Sequence, residues 1–121
     1  MAIRVLVVDD DVVNRTMISR SLSQKGFQVL TALDGEEALK KAKEEKPDLV
    51  ISNMLLPRID GLELCSRIKE DPDLASTRVI LMTAVYKTAS VRAEALAQKA
   101  DAYLEKPVSA EELLKIIDSL F

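Results

Sequence analysis

The sequence predicts an α/β fold: a (βα)5 doubly wound parallel sheet with strand order 2-1-3-4-5 inside a three-layer sandwich. Five short apolar runs alternate with longer segments of helical period along 121 residues. Three runs are almost continuous Val, Ile and Leu, which is typical of strands covered on both faces. Strict βα alternation with right-handed crossovers produces such a sandwich, and 2-1-3-4-5 is a common order for five units. The length fits one domain, so we expect residues 1–121 to form a single domain.

The predicted strands are the apolar runs themselves. They are IRVLVV (Ile3–Val8), FQVLTA (Phe27–Ala32), DLVIS (Asp48–Ser52), RVILMT (Arg78–Thr83) and AYLE (Ala102–Glu105). The second run is the most mixed in polarity, so we predict that it lies at an edge of the sheet. Ligands of sheets with this order bind beyond the carboxyl ends of the strands, next to strands 1 and 3, and the residues that follow those ends are therefore the candidates for a site.

Capping residues predict where the helices begin. In three places a side chain that accepts a hydrogen bond precedes a Glu by three residues, which satisfies free N–H groups of the first helical turn. The pairs are Asp34 with Glu37, Asp60 with Glu63, and Ser109 with Glu112. Asp11 is the predicted cap of the first helix, which leaves Asp9 and Asp10 directed at the site.

Three dipeptides predict where helices end, and one apolar stripe predicts how the last helix packs. The predicted ends are Lys25-Gly26, Lys46-Pro47 and Asp71-Pro72, where Gly or Pro cannot extend the helix. In the last helix the apolar residues share one stripe, which we expect to pack on the sheet. They are Leu113, Leu114, Ile116, Ile117 and Leu120.

Composition narrows the classes of function. The formal net charge is −3, which does not favour binding to nucleic acid or to anionic lipid. The chain has no histidine, so a metal site would use oxygen ligands and favour Mg²⁺ or Mn²⁺. Cys65 is the single cysteine, which excludes an internal disulfide, suits the cytoplasm, and predicts a small apolar packing role. No secretory or membrane-spanning segment is predicted.

Polar side chains stand at the carboxyl ends of four predicted strands. Asp9 and Asp10 follow strand 1, and Asn53 follows strand 3. Thr83 ends strand 4, and Lys106 follows strand 5. Each has an ordinary structural explanation when it is taken alone, such as a helix start, a β-branched strand residue or a surface lysine. Together they indicate phosphoryl chemistry, because an acid pair can bind Mg²⁺ while a hydroxyl and an ammonium hold phosphoryl oxygens.

The sequence resembles the receiver domain of bacterial response regulators over essentially its whole length. The resemblance rests on VLVVDDD, PDLVISNMLLPRIDGLEL, ILMTA and YLEKP, in the usual order and at the usual separations. It implies a flavodoxin-like fold of the chemotaxis-regulator type and a role in two-component (phosphorelay) signal transduction. In that family a histidine kinase or phosphotransfer protein phosphorylates an Asp on strand 3, so the domain is a phosphoprotein and not an enzyme.

The resemblance also implies a role for each residue of the candidate site. Mg²⁺ would bind Asp9, Asp10 and the backbone carbonyl of Leu55, while Thr83 and Lys106 would hold phosphoryl oxygens.

Further roles concern the readout of phosphorylation. Thr83 and Tyr103 would be the switch residues, and the Lys106-Pro107 peptide would be cis. The fourth helix is predicted in KTASVRAEALAQKA. The face formed by this helix, the fifth strand and the fifth helix, including Lys87 and Arg92, would bind an output domain or a second copy of the chain.

Asn53 departs from the family pattern, because it occupies the position of the phosphoacceptor Asp. An amide has neither the nucleophilic oxygen nor the charge of a carboxylate, so we expect phosphorylation to be blocked and Mg²⁺ binding to be weakened. Ser52 is no substitute, because neighbouring strand residues face opposite sides. Either the acceptor was changed Asp→Asn, by engineering or recently, or the chain is a natural pseudo-receiver. We favour the first, since Asp9, Asp10, Thr83 and Lys106 are all retained.

Three other functions remain as alternatives. A phosphorylation-independent interaction module would need no acceptor at all. DDDVV also fits the D-x-D-x-[TV] start of haloacid-dehalogenase-type phosphatases, although the last strand end offers Lys106-Pro107 where that family needs a further acid. A flavin binder is disfavoured because no Gly-rich or Ser-rich phosphate loop follows strand 1.

Overall fold

The computed structural model describes residues 3–83 and 99–121. The five strands are β1 (Arg4–Val8), β2 (Gln28–Ala32), β3 (Leu49–Asn53), β4 (Arg78–Thr83) and β5 (Ala102–Glu105). The helices of the described residues are α1 (Val12–Gln24), α2 (Gly35–Glu45), α3 (Gly61–Glu70) and α4 (Ala110–Leu120), the last being the fifth helix of the prediction.

All five strands are parallel and lie in the order β2-β1-β3-β4-β5, which confirms the predicted topology and the edge position of the second strand. Strands 4 and 5 have the predicted bounds, the first two begin one residue later than predicted, and the third is shifted by one residue at both ends. Ile3 and Phe27, predicted as the first residues of two strands, lie just before them and are partly buried. Asn53, predicted to follow strand 3, is its last residue and pairs with Met82.

Apolar side chains cover both faces of the sheet, as the continuous Val, Ile and Leu runs predict. One core lies against α2 and α3 and contains Leu6, Val8, Val50, Val79, Leu81, Ala38, Leu39, Ala42, Leu64, Cys65 and Ile68. The other lies against α1 and α4 and contains Val5, Val7, Leu49, Ile51, Ile80, Met82, Ile18, Leu22, Leu113 and Ile117. Successive residues of each central strand alternate between the two cores, because the side-chain period of a strand is two residues.

The predicted helix starts are confirmed by hydrogen bonds. Each cap accepts a backbone N–H of the first turn: Asp11 from Val13 at 3.0 Å, Asp34 from Glu37 at 2.8 Å, Asp60 from Glu63 at 2.9 Å, and Ser109 from Glu112 at 3.1 Å. A capping bond of this kind contributes about 1 kcal/mol to stability. The caps therefore determine the residue at which the chain turns from each strand end into the next helix.

The predicted helix ends are also confirmed. The C-caps of α1, α2 and α3 are Lys25, Lys46 and Asp71, each followed by Gly or Pro. Lys46 has a φ of 45°, so the chain leaves α2 through the left-handed conformation.

The last helix packs by its predicted stripe. Leu113 and Ile117 are buried in the core beside α1, and Leu114, Ile116 and Leu120 are partly buried against it. The predicted fourth helix, KTASVRAEALAQKA, lies mostly at 84–98, so Lys87 and Arg92 are outside the described residues. Among residues 3–83 and 99–121, no helix is long and apolar enough to cross a membrane.

Candidate functional site

The residues of the candidate site stand at one edge of the sheet. Asp9 and Asp10 follow β1, Asn53 ends β3, Thr83 ends β4, and Lys106 follows β5. Because all strands are parallel, their carboxyl ends share this edge. We refer to these five residues as the carboxyl-end site.

Asp9 is held at the carboxyl-end site by burial and by several hydrogen bonds. Its side chain is fully buried, with an exposed fraction of 0%. Its Oδ1 accepts the backbone N–H of Asp11 at 3.0 Å, and its Oδ2 accepts donors from Asn14 and Lys106. Hydrogen bonds to a carboxylate are among the stronger ones in proteins, so these donors from three positions of the chain fix the orientation of the Asp9 side chain.

Asp10 differs from Asp9 although the sequence presents the two as a pair. The residue is exposed, whereas its neighbour is fully buried. Asp11 caps α1, as predicted. The three consecutive acids therefore have three different environments: a buried anion, an exposed carboxylate and a helix cap.

Lys106 forms an ion pair with Asp9 across 97 residues of chain. Its Nζ lies 3.1 Å from Asp9 Oδ2, and the lysine side chain is only 17% exposed. The backbone also anchors this residue, since Lys106 N–H donates to the carbonyl of Thr83 at 2.7 Å. The following Lys106-Pro107 peptide is cis, which confirms that prediction. The ion pair directly joins the ends of β1 and β5.

Asn53 is partly buried, and two close backbone contacts position the loop that follows it. Met54 N–H donates to the carbonyl of Met82 at 2.7 Å, and Gly61 N–H donates to the carbonyl of Met54 at 2.9 Å. A Cβ on Gly61 would lie 2.2 Å from the Asn53 carbonyl oxygen, so only glycine fits there. Leu55, whose carbonyl is a candidate ligand, is exposed within this loop.

Thr83 and Tyr103, the candidate switch residues, lie on neighbouring strands. Thr83 is buried with an exposed fraction of 4%. Tyr103 is paired with Leu81 and packs, partly buried, against the core beside α2 and α3. Ser52 is fully buried and its hydroxyl donates to the carbonyl of Asn53 at 2.9 Å, in keeping with its exclusion as an acceptor.

Two residues at this edge were missed by the sequence analysis. Asn14 Nδ2 donates to Asp9 Oδ2, and Arg15 Nη1 donates to the Asp9 carbonyl at 2.8 Å. Both stand on α1, three and four residues after its cap Asp11. Residues i, i+3 and i+4 share a helix face, so side chains at these positions lie near the cap and the end of β1. This spacing is the feature of the sequence from which both contacts could have been predicted.

The donor atoms of the carboxyl-end site suit a hard cation. Two carboxylates, an amide oxygen and the carbonyl of Leu55 are all oxygen ligands, which Mg²⁺ prefers. The site has fewer acids than a dedicated metal cage, and no cluster of three or more Cys, Asp or Glu able to hold a metal occurs in 3–83 and 99–121. The residues thus fit a Mg²⁺ ion that takes its remaining ligands from water or phosphate.

Cys65 lies away from this site. It is fully buried in α3, where the predicted apolar packing role is confirmed. Burial raises the pKa of its thiol to about 11, while Lys69 lowers it and Asp101 raises it to smaller extents. A thiol of this kind is a weak nucleophile at neutral pH.

Comparison with known proteins identifies the family. The sequence profile of the response regulator receiver domain matches residues 5–118. The chain belongs to this family. Receiver domains of two-component response regulators are signalling modules and generally bind Mg²⁺ at the site of phosphorylation.

Relatives and solved structures agree with this assignment. The chain is 41% identical over 114 residues to the response regulator MprA of Mycolicibacterium vanbaalenii, covering 94% of this chain and 48% of that protein. It is 38% identical over 110 residues to the alkaline phosphatase synthesis transcriptional regulatory protein PhoP of Bacillus subtilis, covering 91% and 45%. The chemotaxis response regulator CheY4 of Vibrio cholerae superposes with a TM-score of 0.93 at 30% identity, covering all of both chains.

This receiver domain spans about half the length of the curated relatives it matches. The fold of the solved neighbours confirms the flavodoxin-like architecture. Neither the haloacid-dehalogenase-type phosphatase nor the flavin binder finds support among these relatives.

Proposed function

We propose that this chain, as one receiver domain over residues 1–121, belongs to a phosphorelay in which the phosphoryl step is blocked at Asn53. The observation that carries the proposal is the buried Asp9–Lys106 ion pair, at the sheet edge that also carries Asn53 and Thr83. A buried anion held by a lysine beside an exposed acid is the charge arrangement that phosphoryl transfer uses.

The transfer itself would require the change Asn53→Asp. An oxygen of the introduced carboxylate attacks the phosphorus of a phosphohistidine, a P–O bond forms, and the P–N bond breaks. The departing imidazole nitrogen keeps the electron pair of that bond. Thr83 and Lys106 hold the phosphoryl oxygens, and the lysine must then shift its ammonium from Asp9 towards the new group.

Mg²⁺, when bound, supplies charge neutralisation between the acids and the phosphoryl group. We infer that Asp9, Asp10 and the carbonyl of Leu55 hold it, with residue 53 as a further ligand. Asn53 contributes a neutral oxygen where Asp would contribute an anion, so the ion binds more weakly to this sequence.

The retained residues bear on how Asn53 arose. Asp9 stays fully buried and paired, and Lys106 stays mostly buried. Burial of charge is costly, and phosphoryl chemistry is the use of these charges that the site itself suggests. We therefore favour an engineered or recent Asp→Asn change over a natural pseudo-receiver.

The proposed phosphodonor is a histidine kinase or phosphotransfer protein that contacts the first half of α1. Val12, Val13 and Met17 are large apolar residues, each more than half exposed. They begin directly after the cap Asp11, so a protein that delivers a phosphoryl group to residue 53 would cover them. An exposed apolar patch next to a site is typical of a protein contact.

The proposed output is altered contact at the face that includes Tyr103 and α4, through which an output domain or a second copy of the chain would bind. Movement of Thr83 towards the phosphoryl group would draw Tyr103 with it. We infer a cytoplasmic signalling protein rather than an enzyme, without nucleic-acid or membrane binding by this domain.

The test compares this protein with its Asn53→Asp variant. Each is incubated with a small acyl phosphate and Mg²⁺, and the intact mass is measured. We expect one phosphoryl adduct on the variant and none on the parent, because only the carboxylate is a nucleophile. Asn53→Asp combined with Lys106→Ala is the matched control and should label at least tenfold more slowly.

The other outcomes would contradict the proposal. An adduct on the parent would place the acceptor elsewhere. Labelling of neither protein would instead favour an interaction module that functions without phosphorylation.

A further inference from the structure

Asn14 shares one carboxylate oxygen of the site with Lys106. Its side-chain nitrogen donates to Asp9 Oδ2, and Lys106 Nζ donates to the same atom at 3.1 Å. The other oxygen, Oδ1, accepts the backbone N–H of Asp11 at 3.0 Å. Two side chains from opposite ends of the sequence thus satisfy a single oxygen.

Burial makes the number of donors on this oxygen important. Asp9 has an exposed fraction of 0%, so water does not readily replace a donor that leaves. A buried ionised acceptor that loses its partner suffers the full desolvation penalty. A lysine that was the sole side-chain donor to Oδ2 would therefore be held there, and Asn14 removes that constraint.

The two donors differ in how freely they can move. Lys106 has a long flexible stem and is 17% exposed. Asn14 has a short side chain on α1, and the next residue, Arg15, ties the same helix to the Asp9 carbonyl at 2.8 Å. The lysine is therefore the donor that can leave, and the asparagine is the donor that stays.

We propose that Asn14 is a positioning residue that remains on Asp9 Oδ2 and so allows Lys106 to leave Asp9 for an incoming phosphoryl group. The proposal rests on the proposed function, because a phosphoryl group on residue 53 is what draws the lysine away. It assigns to Asn14 a role in the rate of phosphorylation without any contact with the phosphoryl group.

The test uses the Asn53→Asp background and the variants Asn14→Leu and Asn14→Ala. Leu keeps the shape of Asn without a donor and excludes water, whereas Ala leaves room for a water to donate in its place. At saturating Mg²⁺ we expect labelling by acyl phosphate to slow about tenfold with Leu and about threefold with Ala. Saturating Mg²⁺ keeps the ion bound in every variant, so a change in Mg²⁺ affinity caused by the lost hydrogen bond to Asp9 does not enter the comparison of rates.

Gln24→Ala is the matched control, since it removes an amide from an exposed position at the far end of the same helix. It should label at the rate of the Asn53→Asp protein. A second measurement needs no phosphoryl transfer: NMR of the Lys106 ammonium in the Asn53 parent. With Asn14→Leu its hydrogen exchange with water should slow several-fold, because among residues 3–83 and 99–121 the lysine becomes the sole side-chain donor to Oδ2.

The outcomes separate the two proposals. If Asn53→Asp takes up the phosphoryl group, and adding Asn14→Leu or Asn14→Ala leaves its labelling rate unchanged, the role of Asn14 is wrong while the proposed function stands. Unchanged or faster exchange of the Lys106 ammonium contradicts it as well, even where a variant labels poorly because it folds poorly. If Asn53→Asp takes no label, both proposals are overturned.

Discussion

Two lysine–aspartate pairs lie at opposite ends of the sheet and differ in what surrounds them. At the carboxyl end, Lys106 meets Asp9 at 3.1 Å beside an exposed second acid, Asp10. At the amino end, Lys69 meets Asp101 at 2.7 Å, with exposed fractions of 13% and 17%. We call the second the amino-end pair.

Both members of the amino-end pair also form hydrogen bonds with backbone groups. Asp101 Oδ2 also accepts the N–H of Val79 at 2.7 Å, and Lys69 Nζ also donates to the carbonyl of Thr77 at 2.8 Å. These bonds connect α3, the start of β4 and the residue before β5. The pair joins three elements and has a structural role.

The carboxyl-end pair balances its charges less fully. Asp9 and Asp10 supply two negative charges at successive positions, and Lys106 is the lysine that contacts Asp9. The surplus of negative charge favours a cation at this edge. Both pairs join a lysine to an aspartate, so the residue types alone do not tell a structural pair from one at a functional site. The groups around each pair do: backbone partners at the amino end, and a second acid at the carboxyl end.

The largest expected effect is that of Asp101→Ala. It leaves Lys69 without its partner and Val79 N–H without an acceptor, so we expect a loss of about 3–5 kcal/mol in the free energy of unfolding. Urea unfolding followed by circular dichroism measures it. Arg78→Ala is the control, because that side chain is half exposed and lies 3.7 Å from Asp101, and it should cost less than about 1 kcal/mol. Equal losses from both variants would refute a structural role specific to the amino-end pair.

The titration of Cys65 should have an intermediate effect on the free energy of unfolding. Lys69 and Asp101 of the amino-end pair both influence the pKa of this thiol. The folded state raises the pKa of this thiol from 9.0 to about 11, so the folded protein keeps a proton that the unfolded chain releases first. Its contribution is therefore complete below pH 9 and is lost as the pH rises from 9 to 11, by about 2 kcal/mol. The measurement is the pH dependence of unfolding for the parent minus that for Cys65→Ala, which cancels the titration of lysines. A flat difference over this range would show that the thiol is not shielded.

The smallest expected effect on stability is that of Asp9→Ala, although it concerns the more deeply buried acid. The change leaves Asn14 and Lys106 without their acceptor, but it also removes a fully buried anion, and the long lysine stem lets its ammonium reach solvent. We therefore expect a cost of about 1 kcal/mol. In the Asn53→Asp background the same change should abolish measurable labelling by acyl phosphate. If Asp9→Ala lost as much stability as Asp101→Ala, the Asp9–Lys106 pair would be as structural as the amino-end pair.

Much of the fold could be predicted because its signals are local. Strand order, strand bounds to within a residue and four helix caps follow from apolar periodicity and from acceptors such as Asp34 and Ser109. The candidate site followed from topology, which brings the ends of β1, β3, β4 and β5 to one edge.

Other features could not be predicted from local pattern. The sequence presents Asp9 and Asp10 as equals, yet one is fully buried and the other exposed. Spacing from the cap Asp11 places Asn14 near the start of α1, but it does not say which oxygen the side chain meets. The amino-end pair gave no sign of its contact, because Lys69 and Asp101 meet only through the packing of separate elements.

The sequence by itself determined which residues form strands and helices, where the caps lie, and that residue 53 is an amide. Only the tertiary structure decided which donor meets which oxygen of Asp9. The physical reason is one of range: periodicity and capping act within a few residues, whereas a hydrogen bond between Lys106 and Asp9 requires atoms 97 residues apart to meet at 3.1 Å. That distance is decided by the packing of the whole sheet and its helices, and not by any segment alone.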